Sequence, residues 1–355
     1  MAGPRIAIVG SGANGASIGA DLTRAGLDVT LIEQWPEHVA AMRARGVRIE
    51  MPDETLQVDV RVHDLCEVAT LTERFDVVLV LMKAYDTRWA CDLIAPYVAP
   101  DGLVSGVQNG MTTDVVAGVV GADRTIGAVI EISSMMTEPG IVQRHSPPDR
   151  SYFALGAIDP AAAGREAEIA ALLRHSGAVE IVADIRAAKW MKLVSNCTTL
   201  AASAILDLPI AAAAARPRMR ELMIRAGQEA LDTGIALGHP VLPIFGLTPD
   251  EMGERDGLVE RLLDTLLAGF VLPHTTSTIL HDWHKGRRSE VGDINGEVVA
   301  AQAALGGSAP ANAAILELGR RIERGELRPD PANLPLLLEL AERGQAPSGA
   351  VAGRG

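Results

Sequence analysis

The sequence has few cysteines, and it lacks the residue spacings of metal sites and acyl-transfer nucleophiles. Cys66, Cys91 and Cys197 are widely separated and odd in number, so we expect free thiols in a reducing cytosol. None of the eight histidines belongs to an H-E-x-x-H or similar pattern, and we therefore predict no metal. There is also no G-x-S-x-G motif to indicate an acyl-transfer nucleophile.

The sequence also lacks a surplus of basic residues and a long apolar run. The formal net charge is −13, whereas a nucleic-acid-binding surface needs clustered basic residues. No apolar run approaches the roughly 18 residues of a membrane span, and the first predicted strand begins too early to leave room for a signal peptide. We therefore expect a cytoplasmic protein that binds neither nucleic acid nor membranes.

The N-terminal half alternates strand and helix patterns. The predicted elements are a first strand at 6–9, a helix over 13–25, a strand at 28–33, a helix near 37–45, strands at 77–82 and 103–107, and then short strands with one helix over 161–175. Because helical segments separate apolar strands, the pattern predicts βαβ units and a doubly wound parallel sheet of the Rossmann type.

Long helical periodicities dominate after Asp184. They cover 185–206, 215–237, 257–270, 288–305 and 309–325. The chain has 355 residues, which exceeds one typical domain. We predict a Rossmann domain at 1–183, a mostly α-helical domain at 184–328, and an extension at 329–355 whose Gly/Ala/Pro/Ser-rich end is disordered.

The strongest motif is Gly10-x-Gly12-x-x-Gly15, which follows the apolar run Ile6–Val9 and precedes an alanine-rich helical stretch. Gly10 allows a tight turn, Gly12 lets the backbone approach a diphosphate, and Gly15 lets the helix pack closely on the sheet. The N–H groups and dipole of the helix N-terminus attract phosphate charge. We therefore predict that a dinucleotide binds this turn, through Gly10, Ser11, Gly12, Ala13, Asn14 and Gly15.

An acidic residue, Glu33, ends the second predicted strand, about 18 residues beyond Gly15. A carboxylate in this position accepts hydrogen bonds from the 2′-hydroxyl of the adenosine ribose, and it would repel a 2′-phosphate. The next arginine along the chain is Arg43. The sequence therefore favours NAD over NADP; the alternative is that Glu33 is only a solvated strand end.

Polar residues follow two further predicted strands. Lys83 comes directly after the strand at 77–82, and Asn109-Gly110 follows the strand at 103–107. Ligands of such sheets bind beyond the carboxyl ends of the strands. We therefore expect Lys83 and Asn109 to reach the cofactor or the substrate, although Asn109-Gly110 is also explained by a tight turn.

Lys192 is the best candidate for a catalytic residue. It lies in a predicted helix, one turn before Asn196 and on the same face. An ammonium group facing a cleft can protonate a carbonyl oxygen as hydride reaches the carbon, and the neutral amine can remove that proton in the reverse direction. Asn196 can orient a substrate through its donor and its acceptor. The alternative is a solvated lysine on an amphipathic helix.

A second polar cluster contains Ser277-Thr278 and, further along, Glu290 and Asp293. The predicted helix over 288–305 places Glu290 and Asp293 on one face, opposite an apolar stripe. A carboxylate there can accept a hydrogen bond from a substrate hydroxyl or pair with the candidate lysine. Alternatively, Glu290 only stabilises the dipole at the N-terminus of its helix.

In this order, the motifs resemble the ketopantoate reductase (2-dehydropantoate 2-reductase) family across roughly residues 5–326. The matching segments are Gly10–Gly15, Met82-Lys83-Ala84, Gln108-Asn109-Gly110-Met111, Trp190–Leu193 with Asn196-Cys197, Ser277–Asp282 and Glu290–Gly296. The resemblance implies a Rossmann domain and a helical domain, with a cleft in which a nicotinamide cofactor reduces a 2-keto acid. It implies Lys192 as the general acid and Glu290 as a ligand of a substrate hydroxyl. Asn109 and Asn196 would line the cleft, and Lys83 would lie beside the cofactor.

Three positions depart from the family pattern. The family usually prefers NADPH and has a basic residue after the second strand, whereas this chain has Glu33. Leu200 and Ala201 stand where the family commonly has asparagine and proline. Thr278 replaces a serine that is usual in the family's substrate pocket, although Ser277 lies beside it; the resemblance therefore implies Ser277 and Thr278 as substrate-binding residues. Because loss of a polar partner from a buried site discriminates strongly between substrates, we infer a changed preference, with Leu200 suiting a more apolar substrate.

The sequence therefore predicts an oxidoreductase that interconverts a 2-keto acid and a 2-hydroxy acid with NAD, NADP being less favoured. One alternative is a dedicated 2-dehydropantoate 2-reductase, and another is a non-catalytic protein that senses NAD(H). The small-molecule substrate is the expected partner. The oligomeric state is left open, with a homodimer through the helical domain as one alternative.

Overall fold

The structure is a computed structural model that describes residues 3–269 and 271–343. The chain forms two compact units, of which the first ends at Lys189 and the second begins at Trp190. The strands of the first unit are β1 (Arg5–Val9), β2 (Asp28–Glu33), β3 (Val47–Glu50), β4 (Thr55–Val58), β5 (Arg61–Asp64), β6 (Phe75–Val80), β7 (Val98–Val107), β8 (Thr125–Glu131), β9 (Ser134–Glu138), β10 (Ile141–Arg144), β11 (Tyr152–Ala157) and β12 (Ala178–Ile181). Its helices are α1 (Ala13–Arg24), α2 (Pro36–Arg45), α3 (Thr87–Ile94), α4 (Thr113–Val120) and α5 (Glu166–Leu173).

The main sheet of the first unit is eight-stranded, in the order β12-β11-β8-β7-β6-β1-β2-β5. All pairings from β8 to β5 are parallel, whereas β11 pairs with β8 in the antiparallel sense. Alternate residues of β1 pack into separate cores on the two faces, Ile6 and Ile8 into one and Ala7 and Val9 into the other. This burial on both faces explains the continuous apolar runs and confirms the predicted Rossmann sheet.

A second, four-stranded sheet has the order β4-β3-β10-β9 and was not predicted. A buried ion pair joins it to α1, because Nη1 of Arg144 at the end of β10 lies 2.5 Å from Oδ2 of Asp21. The same guanidinium donates to the backbone oxygens of Ser146 and Ser176 and to Oγ of Ser151. With its charge paired and its other donors bonded, a buried arginine can be accommodated in the core.

All regular elements among the described residues of the second unit are helices, joined by loops and turns. Its helices are α6 (Ile185–Ile205), which begins before the boundary, α7 (Ile210–Ala214), α8 (Pro217–Ala236), α9 (Pro249–Met252), α10 (Leu258–Gly269), α11 (Thr278–His284), α12 (Asn295–Ala304), α13 (Pro310–Glu323) and α14 (Leu334–Arg343). Nε1 of Trp190 on α6 donates to the carbonyl oxygen of Ala230 on α8 at 2.8 Å. A Cβ atom at Gly234 would lie 2.2 Å from the ring of Trp190. Glycine therefore lets these two long helices pack closely.

Two details differ from the sequence-based expectations or extend them. The predicted helix over 288–305 begins only at Asn295, since residues 290–294 form turns. Glu290 and Asp293 thus lie in a turn and do not share a helix face. Within the predicted extension, α14 packs against α13, and Nδ2 of Asn333 donates to the carbonyl oxygen of Ile205. The predicted disorder of the chain end concerns positions outside the described residues.

Among the described residues, the structure contains neither a helix able to cross a bilayer nor a group of three or more His, Cys, Asp or Glu side chains suited to a metal ion.

Candidate active site

The glycine-rich turn between β1 and α1 has the geometry that its sequence predicts. Gly10 has φ +94°, and a Cβ atom there would lie 2.7 Å from Sδ of Met82. A Cβ atom at Gly15 would lie 2.0 Å from the carbonyl oxygen of Gly10, so α1 packs directly on the turn. At Gly12, by contrast, a Cβ atom would meet no described heavy atom within 4 Å. The turn is therefore closed behind Gly10 and Gly15 and open at Gly12.

The open side of the turn is suited to a dinucleotide diphosphate. Gly12 is the N-cap of α1 and brings no side chain to that helix N-terminus, whose N–H groups and dipole attract anions. Oδ1 of Asn14, in the first turn of α1, accepts a hydrogen bond from Oγ of Ser134 at 2.6 Å. This bond orients Asn14 beside the turn. The residues of the glycine-rich turn thus fit the diphosphate of the dinucleotide that the motif predicts.

The other predicted cofactor residues lie at or just beyond the carboxyl ends of β2, β6 and β7. β2, β1, β6 and β7 are adjacent and parallel, with Val9 paired to both Ile32 and Val80. Because parallel strands end at the same edge of a sheet, Glu33, Lys83 and Asn109 lie along the edge that carries the glycine turn. This edge is where open α/β sheets bind their ligands.

Glu33 is buried at the carboxyl end of β2, with 6 % of its surface exposed. Its Oε1 atom accepts hydrogen bonds from the backbone N–H groups of Gln34 and Trp35, at 2.9 and 3.0 Å. The carboxylate is therefore held at the strand end and is not a freely solvated group. The guanidinium of Arg43 donates to the carbonyl oxygen of Val62 and pairs with Glu67.

Two buried side chains that the sequence analysis did not select hold the backbone before Lys83 and Asn109. Nε2 of Gln108 donates to the carbonyl oxygen of Met82 at 2.6 Å. Nζ of Lys189 donates to the carbonyl oxygens of Gln108 and Ala128, each at 2.9 Å. Lys189 stands one helical turn before Lys192, and that repeat of lysines is the signal that could have identified it.

In the second unit, the predicted catalytic and substrate residues of α6 share one face. Lys192, Asn196 and Leu200 follow one another at intervals of four residues, which places them one turn apart. Asn196 is buried, whereas Lys192 and Leu200 are half-buried. Lys192 is therefore not simply a solvated surface lysine.

Phe245 was not predicted as a site residue, yet its ring contacts the candidate catalytic lysine. Nζ of Lys192 lies 5.2 Å from the ring centroid, within the range of a cation–π interaction. The backbone of Phe245 has φ +60°, a conformation that costs a non-glycine residue about 1–2 kcal/mol. The surrounding structure therefore holds this aromatic ring in place over the ammonium group.

Ser277 and Thr278, the predicted substrate ligands near α11, have different environments. Ser277 is buried and is the N-cap of α11, because its Oγ accepts from the N–H of Leu280 at 3.3 Å. Thr278 is exposed. The helix cap alone explains the serine, so its predicted role toward a substrate is not required by the local fold.

Glu290 is buried in the turn between α11 and α12, and its carbonyl oxygen accepts from the N–H groups of Asp293 and Ile294. Burial, and then the nearby Glu290 carboxylate, raise the pKa of Asp293 to about 6. Oδ2 of Asp293 is buried without a hydrogen-bond partner among the described residues. The turn thus holds two carboxyl groups close together, one of which titrates near neutrality.

The Glu290 turn is anchored to the part of α6 that carries Asn196. Asn295, at the end of this turn, is fully buried, and its Nδ2 lies 3.4 Å from the carbonyl oxygen of Cys197. The same Nδ2 donates to Oδ1 of Asn312 at 2.8 Å. The structure therefore places Lys192, Asn196 and Leu200 on α6 and Glu290 in a turn held against it, whereas Ser277 and Thr278 lie at the start of α11.

Two family profiles match the chain. A profile described as "Ketopantoate reductase PanE/ApbA" matches residues 6–158, and one described as "Ketopantoate reductase PanE/ApbA C terminal" matches residues 184–323. Among curated proteins, the 2-dehydropantoate 2-reductase of Archaeoglobus fulgidus is 26% identical over 90% of this chain and 98% of its own length.

Solved structures are also similar to this chain over most of its length. A PanE/ApbA family ketopantoate reductase from Ralstonia eutropha JMP134 is 29% identical, with a TM-score of 0.77 over 91% of this chain and 99% of its own. D-mandelate dehydrogenase, solved with NADH and anilino(oxo)acetate, has a TM-score of 0.79 over 90% of this chain and 99% of its own. Its identity is 19%, so that likeness concerns the fold alone.

Proposed function

The chain belongs to the ketopantoate reductase family, and we propose that it interconverts a 2-keto acid and a 2-hydroxy acid by hydride transfer with NAD(H). The observation that carries the proposal is the arrangement on α6, where Lys192 and Asn196 share a face and where Asn295 ties the Glu290 turn to the backbone carbonyl of Cys197. A proton donor, an orienting amide and an acceptor for a hydroxyl group are the residue types that carbonyl reduction needs.

In this proposal Lys192 moves the proton. The reduced nicotinamide would supply the hydride that adds to the carbonyl carbon of the substrate. The ammonium of Lys192 would donate a proton to the carbonyl oxygen, so that one hydride and one proton convert C=O into CH–OH. In the oxidation direction, the neutral amine would accept the hydroxyl proton. Phe245 would keep Nζ in place through its ring contact.

Asn109, Asn196 and Glu290 are proposed to orient the substrate. Each asparagine amide offers two N–H donors and a carbonyl acceptor, which suits the carboxylate and the carbonyl or hydroxyl oxygen of the substrate. The Glu290 carboxylate would accept a hydrogen bond from a hydroxyl group. Burial of Asn196 and Glu290 would strengthen these bonds, because water competes less in a low-dielectric environment.

The proposed preference for NAD rests on Glu33. The two backbone hydrogen bonds that Oε1 accepts hold a negative charge at the end of β2, where the adenosine ribose is expected. Arg43, the next arginine along the chain, is engaged with Val62 and Glu67. D-mandelate dehydrogenase, which shares the fold, was solved with NADH, which supports use of the non-phosphorylated cofactor by this architecture.

Leu200 supports a substrate with an apolar side chain. It lies one turn beyond Asn196 on α6 and is half-buried, and it cannot hydrogen-bond a substrate hydroxyl. A pocket that offers an apolar contact in place of an amide discriminates against substrates that need the polar partner. We therefore propose an apolar 2-keto acid over one that carries a further hydroxyl group.

A second candidate function is the reduction of ketopantoate itself. It is favoured by the curated relatives from Archaeoglobus fulgidus and Halobacterium salinarum, both named 2-dehydropantoate 2-reductase and 26% and 27% identical to this chain. In that case Leu200 and Glu33 would be tolerated substitutions within an unchanged specificity.

A substrate screen separates these candidates. The purified protein is assayed with a panel of 2-keto and 2-hydroxy acids and with each of the four nicotinamide cofactors, and turnover is followed by nicotinamide absorbance. We expect the highest kcat/KM with NAD(H) and an apolar substrate. Highest kcat/KM with ketopantoate and NADPH would support the second candidate. NAD binding without turnover of any substrate would support the alternative of a non-catalytic protein that senses NAD(H).

The variant Leu200→Asn is the matched control for substrate choice. It restores the amide at the position where the family commonly has asparagine. We expect it to raise kcat/KM for ketopantoate relative to an apolar 2-keto acid while the KM for NAD(H) is unchanged. Equal changes in kcat/KM for both substrates would show that Leu200 does not determine the substrate preference.

A further inference from the structure

His38, in the first turn of α2, is fully buried and has a backbone partner for each ring nitrogen. Its Nε2 lies 2.9 Å from the carbonyl oxygen of Ser11 in the glycine turn. Its Nδ1 lies 2.8 Å from the backbone nitrogen of Gly140, between β9 and β10. The N–H of Gly140 can only donate and the oxygen of Ser11 can only accept. The partners therefore select the neutral ring with its proton on Nε2.

Burial lowers the pKa of His38, which keeps the ring neutral and agrees with this hydrogen-bond pattern. The ring of Trp35 lies beside it, with centroids 5.9 Å apart. Two hydrogen bonds and one ring contact thus fix the orientation of the imidazole. Because the imidazole is fixed, its Nε2–H group can in turn fix the orientation of its acceptor, the carbonyl group of Ser11.

The direction of the Ser11 carbonyl determines the direction of the next N–H group. The peptide between Ser11 and Gly12 is trans, and a planar trans peptide points its C=O and its N–H in opposite directions. Because the oxygen points to His38, the N–H of Gly12 points away from it. Gly12 is the position of the turn at which an added Cβ would meet no described heavy atom within 4 Å.

We propose that His38 is a positioning residue of the nucleotide site, which aims the N–H of Gly12 at the cofactor diphosphate by holding the carbonyl of Ser11. The inference rests on the proposed binding of NAD at the glycine turn, and it assigns a role to a residue outside the glycine motif. The ring acts through the backbone and does not itself contact the cofactor. A rigid turn binds more tightly because less conformational freedom is lost on binding.

Two conservative variants separate the bond to Ser11 from the bond to Gly140. In His38→Asn the short amide can replace Nδ1 and accept from Gly140, but it cannot reach Ser11. In His38→Gln the longer amide can replace Nε2 and donate to Ser11. Both variants are polar and of similar size, so the buried site keeps a hydrogen-bonding group in each case.

A third variant controls for loosening of the β9–β10 turn. Nη2 of Arg45 donates to the carbonyl oxygen of Pro139 at 2.6 Å, next to Gly140. Arg45→Met removes this contact to the same turn and leaves Ser11 untouched. If His38 acted only by bracing this turn, Arg45→Met would reproduce the effect of His38→Asn.

The test measures Kd for NAD+ and for ADP-ribose by titration calorimetry, together with KM for NAD+ and kcat. We expect His38→Asn to raise both Kd values and KM about tenfold, which corresponds to about 1.4 kcal/mol, and to leave kcat within about twofold. His38→Gln and Arg45→Met should remain near the wild-type values. ADP-ribose should respond as NAD+ does because it carries the same diphosphate.

The outcomes are distinguishable. Unchanged Kd in His38→Asn, or equal losses in His38→Asn and His38→Gln, would overturn the positioning role while NAD binding by the wild type stands. A loss in Arg45→Met as large as in His38→Asn would assign the effect to the β9–β10 turn and also overturn it. A wild-type protein that binds neither NAD+ nor ADP-ribose would refute the proposed function together with this inference.

Discussion

Nε2 of Gln108 lies 2.6 Å from the carbonyl oxygen of Met82, and this hydrogen bond joins the segments that follow β6 and β7. Lys83 and Asn109 come next in each segment. Lys189 holds the carbonyl of Gln108 itself. Buried donors thus orient the backbone directly before both predicted site residues, which pre-organises the strand edge.

Replacing Lys192 by alanine is expected to reduce kcat by about 10²–10⁴-fold, because proton transfer by a positioned group contributes that much. NAD+ binding should survive, since Lys192 belongs to the helical unit and the glycine turn to the other. Lys285, exposed beyond α11, provides the control variant Lys285→Ala, which should keep its activity. Turnover of Lys192→Ala at the wild-type rate would exclude this lysine from the mechanism.

Replacing Glu33 by arginine is expected to increase kcat/KM for NADP relative to NAD by about tenfold or more. The change removes the repulsion of a 2′-phosphate and adds a charged donor for it. Glu33→Gln is the matched variant, because it removes the charge yet keeps an acceptor for Gln34 and Trp35. It should produce a smaller shift. An unchanged cofactor ratio in both variants would contradict the placement of the ribose.

The glycine turn allows a paired comparison. Gly15→Ala should destabilise the fold by about 1–3 kcal/mol or more, because its Cβ would lie 2.0 Å from the carbonyl oxygen of Gly10. Gly12→Ala should cost less than about 1 kcal/mol yet weaken NAD+ binding, because the new methyl group would occupy open space next to the expected diphosphate. Denaturant unfolding and titration with NAD+ check the two effects. The reverse pattern would show that the turn is misassigned.

Asp293 predicts a pH dependence of stability. Its pKa rises from 3.8 in the unfolded chain to about 6 in the fold, so the native state binds more protons between these values. Stability contributed by the protonated group is present below about pH 4 and is lost as pH rises through about 6. Asp293→Asn should therefore gain stability relative to the wild type as pH is raised across this window. If the difference in the free energy of unfolding between Asp293→Asn and the wild type were the same at both ends of this pH window, the raised pKa would be contradicted.

Much of the fold of the Rossmann unit could be predicted from the sequence, because the contacts that require its residues are local. Gly10 and Gly15 are required by contacts within one turn, and the apolar runs of β1, β2 and β6 reflect burial on both faces. The four-stranded sheet was missed because its strands are only four or five residues long. In β4 exposed and half-buried residues alternate, which leaves little apolar signal.

In the Glu290 segment, the helix predicted to begin at residue 288 was wrong, because the helix begins at Asn295. Val291, Ile294 and Val298 have helical spacing and are all buried, which is why a helix was predicted from residue 288. Oγ of Ser289 bonds the N–H of Val291, and Gly292 has a low helix propensity. These local preferences favour a turn. His38 and Lys189 were not predicted because their partners are backbone atoms distant in sequence.

A crystal structure of the protein with NAD+ tests the central claim most directly. The account predicts the diphosphate within hydrogen-bond distance of the N–H of Gly12 and the adenosine ribose hydroxyls against the carboxylate of Glu33. Density for the dinucleotide away from the glycine turn, or a ribose turned away from Glu33, would contradict it.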